Sequence, residues 1–183
     1  MYEEKIIRHC SPTLAGIKTG NIFSYKCESE DALKKSISFI DKRLKEKGIR
    51  VTSIGKNKNG ILIYVYRPKM LTSDFKLCGV RKILCDYGYN PENVGQCIKR
   101  LSQNICKEGG FPHEIGVFLG YPPEDVRGFI ENGAKEYKYS GYWKVYGDVP
   151  RAKKLFESYK KCTEAYIKRY EEGNNVEKLS VIL

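Results

Sequence analysis

The sequence has no CxxC, no HxxxH and no HExxH, and it holds only two histidines. Standard zinc spacings and the zinc-protease signature are therefore absent. Neither GxGxxG nor GxxxxGK[ST] occurs, which excludes the usual glycine loops for dinucleotides and nucleoside triphosphates. The longest aliphatic or aromatic run is Ile61–Tyr66, six residues, whereas a membrane span needs about 20. No apolar stretch follows the opening Met-Tyr-Glu-Glu-Lys, so no secretory signal is expected and a cytoplasmic location is. No Gly/Ser/Pro-rich linker divides the chain. One domain over residues 1–170 is expected, with residues 171–183, which contain Gly-Asn-Asn, as a frayed tail.

What is present suits a packed core. Of 183 residues, 41% are hydrophobic and 12% aromatic, which excludes a disordered or collagen-like chain. The seven cysteines are odd in number and scattered, as expected of free thiols in a reducing compartment. Lys and Arg outnumber Asp and Glu, 33 to 22. The surplus is local. Residues 31–60 carry nine basic and three acidic groups, whereas residues 91–150 carry a slight acidic excess.

Leu33, Ile37, Ile40 and Leu44 recur at helical spacing and predict a helix over 31–47, with Ser29 as its cap. Val94, Ile98, Leu101 and Ile105 predict a second over 91–107, capped by Asn90 with Pro91 at its first position. A third is expected over 150–170. Arg50–Gly55 and Gly60–Tyr66 flank an Asn-Gly turn and read as a hairpin, with the almost wholly apolar Ile61–Tyr66 as a central strand. Phe23–Tyr25, Ile63–Tyr66, Val117–Tyr121 and Trp143–Tyr146 each end in Tyr, then a short turn, then a helix start. Read as βα units, they predict an α/β fold, with α+β as the alternative. It would have a mixed sheet of about five strands and flanking helices. The strand ends would then gather Tyr66, Arg67, Tyr121, Tyr146 and Asp148 at a pocket rim, where helix N-termini favour an anion. The Tyr/Lys alternation over 135–146 reads as a half-buried strand with a polar face, or as an exposed aromatic strip.

Two segments hold both histidines. His9-Cys10 and His113-Glu114 each pair an imidazole with a potential ligand or acid/base group. Joined in one site, they would hold iron, haem or another metal, or form a Cys–His pair. The plainer reading has them satisfying local backbone and packing needs. HCSPTLAG, FPHEIGVFLGYPPEDVRGFIENG and GYWKVYGD resemble an uncharacterised family of bacterial proteins known as a domain of unknown function. The resemblance covers nearly the whole chain. It implies a soluble single-domain protein and leans slightly toward metal or redox roles, while assigning no activity and no site residue. Two function classes follow. One is a small-ligand or metal/redox-cofactor protein built on the histidine motifs. The other is a non-enzymatic basic module binding an acidic protein or nucleic acid through residues 34–58, led by Lys34, Lys35, Lys42, Arg43 and Lys45.

Overall fold

The computed structural model describes residues 2–108 and 111–183. The first element is helix α1, Tyr2–Leu14, followed by strand β1, Gly20–Tyr25. Helix α2, Glu30–Lys45, forms where the apolar stripe predicts it. The Ser29 hydroxyl accepts from the Ala32 N–H at 3.3 Å, and Leu33, Ile37, Ile40 and Leu44 are buried. The hairpin of β2, Arg50–Asn57, and β3, Gly60–Tyr66, forms across the Asn-Gly turn.

β3 is the central strand, flanked by β1 and β2, both antiparallel to it. One face of this sheet presents Phe23, Val51, Ile63 and Val65 to a core shared with α1 and α2. The other face presents Ile54, Leu62 and Tyr64 to a second core. That second core is built by α3, Pro68–Phe75, α4, Cys78–Asp86, α5, Val94–Glu108, and the single turn α6, Ile115–Phe118. Helix α7, Pro123–Asn132, precedes the short hairpin of β4, Tyr139–Ser140, and β5, Lys144–Val145. The long α8, Val149–Glu171, then builds a third core from Trp143, Val145, Ala152, Phe156 and Tyr159. Its second half returns to the first core through Tyr166, Ile167 and Tyr170.

The architecture is thus α+β, with two antiparallel sheets where one mixed sheet was expected. Val117–Tyr121 is the element that misleads. A short apolar run fits a buried strand or a buried helical turn equally well, and here Val117 and Phe118 are buried in a helical turn. Gly120 then turns the chain at φ +72°, where an added Cβ would meet the Thr19 side chain at 2.7 Å. Helix α5 begins later than expected. Asn93, not Asn90, caps it by accepting from Gln96 N–H at 2.9 Å, while Asn90 accepts from Glu92 N–H in the preceding turn.

The tail differs too. Val176 and Leu179 are buried in the first core, and Val181 N–H donates to the Leu14 carbonyl at 3.0 Å. The anchor is Arg67, only 1% exposed. Its guanidinium donates to the carbonyls of Thr13 (2.7 Å), Leu14 (2.6 Å) and Val181 (2.7 Å), and to that of Lys47 at 3.2 Å. A residue expected at a pocket rim is instead a clamp between the end of α1, the end of α2 and the tail.

Candidate functional site

The expected meeting of the two histidine motifs does not occur, because the sheet lies between them. His9, on α1, stacks on the Phe23 ring, centroids 5.3 Å apart, on the face toward the first core. Burial, with Lys5 and Arg8 nearby, lowers the pKa of its imidazole. Cys10 is fully buried in the same apolar core, and burial pushes its thiol well above the ordinary range. A thiol held protonated is a poor nucleophile and a poor metal ligand.

Glu114 lies on the other side of the sheet, buried among polar partners. The Tyr89 hydroxyl donates to it at 2.6 Å and the Asn104 amide at 3.4 Å, tying α6 to α5. His113 is exposed, with its ring edge-on to Phe129 at 5.2 Å. Among the described residues, no group of three or more His, Cys, Asp or Glu is placed to hold a metal.

The expected rim disperses for a geometric reason. In an antiparallel sheet the carboxyl ends of neighbouring strands point opposite ways, so Tyr25 and Tyr66 lie at opposite ends. Tyr66 stacks on Tyr64 at 4.6 Å. Tyr146 packs onto Gly128 of α7, where an added Cβ would come within 2.3 Å of its ring. Asp148 caps α8 by accepting from Arg151 N–H at 2.9 Å. Of the five expected residues, Tyr121 alone lines the cavity described next.

That cavity has a volume of about 440 Å³ and lies between α6, α7 and the β4–β5 hairpin. Ile22 of β1 and Ile115, Leu119 and Val126 supply aliphatic wall. Tyr121, Phe129 and Trp143 supply aromatic wall, and Tyr121 stacks on Trp143 at 4.5 Å. Phe111 and Tyr142 are exposed residues of the same lining, and His113 and Lys144 belong to it too. Lys144 Nζ lies 3.9 Å from the centroid of the Tyr137 ring and donates to the Ser140 hydroxyl at 3.1 Å.

Asp125 holds this architecture in place, and the sequence reading missed it. Its carboxylate is buried and accepts three N–H bonds: Trp143 Nε1 at 2.7 Å, and the backbone of Tyr146 and Gly147, each at 2.8 Å. The hairpin is thereby pinned to α7 by an acid whose oxygens are already occupied, so Asp125 shapes the cavity rather than offering it a charge. Asp125→Asn would turn an amide group toward at least one of these donors. We expect a loss of about 2 kcal/mol in urea unfolding, with a red shift of Trp143 fluorescence.

Lys18 was also missed. It is 4% exposed, its ammonium donates to the Gly20 carbonyl, and Nζ sits 5.3 Å from the centroid of the Tyr121 ring. It makes no ion pair among the described residues. Burial lowers its pKa to about 7, opposed weakly by the nearby Cys10. Next to it, the Thr19 hydroxyl donates to Asp74 at 2.6 Å, and burial raises that carboxyl.

Four of the nine basic residues of the 31–60 segment meet carboxylates. Arg43 pairs with Glu3 and Glu177, Arg50 with Asp41, Lys56 with Glu30 and Lys34 with Asp31. Lys35, Lys42 and Lys45 are exposed.

No helix of the described residues is long and apolar enough to cross a membrane. Residues 6–180 match a family model described as "Protein of unknown function (DUF3793)". No curated protein and no solved structure matches the chain.

Proposed function

The chain belongs to the family Protein of unknown function (DUF3793), a description that assigns no activity, and we propose from the geometry that it binds a small, flat, mainly apolar ligand with an anionic group. The observation that carries this reading is the 440 Å³ cavity walled by Tyr121, Phe129 and Trp143, with His113 and Lys144 among its lining residues. Its size falls within the usual range of small-molecule sites, about 300–1,000 Å³, and its chemistry is typical of them: mostly apolar, with a few placed polar groups. Aromatic walls favour a ring, and the presence of Lys144 and His113 among the lining residues favours an anionic group on it.

Trp143 is the only tryptophan and lies in the wall, so it reports occupancy directly. Titration with 2-naphthoate is expected to give a saturable change in Trp143 fluorescence. Phe129→Ala should weaken binding about tenfold, as expected for an aromatic wall worth about 1.4 kcal/mol. Lys144→Met should weaken 2-naphthoate more than the neutral 2-naphthol. A linear, unsaturable response up to millimolar ligand would end this reading.

A further inference from the structure

We propose that the ligand in the cavity is one base of a single-stranded nucleic acid, whose backbone continues into the groove on the other side of Tyr142. The inference rests on the cavity being a ligand site and names the class of that ligand.

Tyr142 lines two neighbouring hollows. One is the cavity; the other is a more open groove of about 650 Å³, bounded by Tyr139, Phe156, Lys153 and Lys160. Tyr142 is 46% exposed, and its ring lies 5.5 Å from that of Phe156. Tyr139 in turn stacks on Phe156 at 6.2 Å. Aromatic surface therefore runs from the cavity wall across Tyr142 into the groove.

Positive charge accompanies the rings. Lys144 Nζ lies by Tyr137, and Lys153 Nζ lies 4.8 Å from the centroid of Tyr139. Lys160 lines the groove, and the acid beside it, Glu157, is already paired with Lys161 at 3.3 Å. Rings for bases, with ammonium groups at their edges for phosphates, form the pattern by which single strands are held without sequence readout. The 440 Å³ cavity adds a recess for one splayed base, a mode available to unpaired nucleotides and closed to a duplex. An acidic peptide would use the lysines and leave the aromatic walls and the cavity unfilled.

Trp143 fluorescence, with 2-naphthoate as reference ligand, tests the proposal at 50 mM salt. The probes are an eight-residue oligouridylate, uridine 5′-monophosphate and polyglutamate. We expect the oligonucleotide to bind at least tenfold more tightly than the mononucleotide, with affinity falling as salt rises. The Lys153→Glu/Lys160→Glu double variant changes exposed side chains outside the cavity, and its fold is checked by circular dichroism. It should cost the oligonucleotide at least tenfold and leave the mononucleotide unchanged. An oligonucleotide no tighter than the mononucleotide overturns the proposal, as does polyglutamate binding equally well. If 2-naphthoate binds but neither nucleotide does, the nucleic-acid proposal fails and the cavity reading stands. If nothing perturbs Trp143, the cavity reading fails as well.

Discussion

Lys18→Met is expected to stabilise the protein, by about 3 kcal/mol at pH 6, with an advantage that shrinks as pH rises. The reason is the placement of an amine where no anion among the described residues meets it. Lys18 is buried, donates to the Gly20 carbonyl and lies near the neutral Cys10 thiol and the Tyr121 ring. Burial lowers its pKa from 10.5 to about 7, while Tyr121, pushed up to about 12, stays neutral throughout. Below pH 7 the amine is charged in both folded and unfolded chains, so folding bears the full cost of burying an ammonium. Between pH 7 and 10.5 the unfolded chain binds the extra proton, and stability rises with pH. Above 10.5 the amine is neutral in both states and the cost is gone.

A shift of this size corresponds to about 4–5 kcal/mol at the acid end. Losing the bond to the Gly20 carbonyl offsets about 1 kcal/mol of that gain. Methionine matches the lysine stem in length and brings no charge. Urea unfolding of both proteins at pH 6, 8 and 10 checks the prediction. A variant destabilised at pH 6, or an advantage that does not fall with pH, would show that the ammonium has a partner. The same amine lies against the Tyr121 ring in the cavity wall, so the pH profile of Trp143 fluorescence should differ between wild type and Lys18→Met.

Much of the fold was legible because local signals and burial agreed. The stripe Leu33–Leu44, the cap at Ser29 and the Asn-Gly hairpin each specify their element within a few residues. The layout of the sheet was not legible, because it depends on which elements meet. A strand ending in Tyr looks the same whether its neighbour runs parallel or antiparallel. Val117–Tyr121 has too few residues to display a period of two or of 3.6.

The site was legible only in fragments. His113 and Tyr121 were singled out and both line the cavity. Chemistry alone groups His9 and Cys10 with His113, and the sheet separates them. Trp143 opens one of the Tyr-ending segments, and it both packs on Phe156 and walls the cavity. Asp125 and Lys18 gave no signal. A single acid or lysine declares its role only through the three N–H groups, or the apolar burial, that folding brings to it.

Arg67→Met is expected to cost about 4 kcal/mol and to release the tail before the rest of the molecule unfolds. Arg67 follows the central strand, and its guanidinium is almost wholly enclosed. Among the described residues it has no carboxylate partner; it faces carbonyls instead. Thr13 and Leu14 end α1, and Lys47 follows α2, so these oxygens belong to helix ends that lack intrahelical donors. The negative ends of two helix dipoles thus meet one delocalised cation, while the Val181 carbonyl brings in the tail. Methionine fills a similar space but takes away the guanidinium donors of the Lys47 and Val181 carbonyls, while the Thr13 and Leu14 carbonyls keep only the N–H groups of Gly16 and Val181; each buried orphan costs about 1–3 kcal/mol before relaxation. Arg67→Lys should recover little, because one ammonium cannot span acceptors arranged for a planar fork. Hydrogen exchange would detect the loss first at Val181, whose N–H donates to Leu14. Val176 and Leu179 would then leave the first core. Equal protection of Val181 in wild type and Arg67→Met would show that the tail is held by its apolar side chains alone, with the guanidinium serving only the two helix ends.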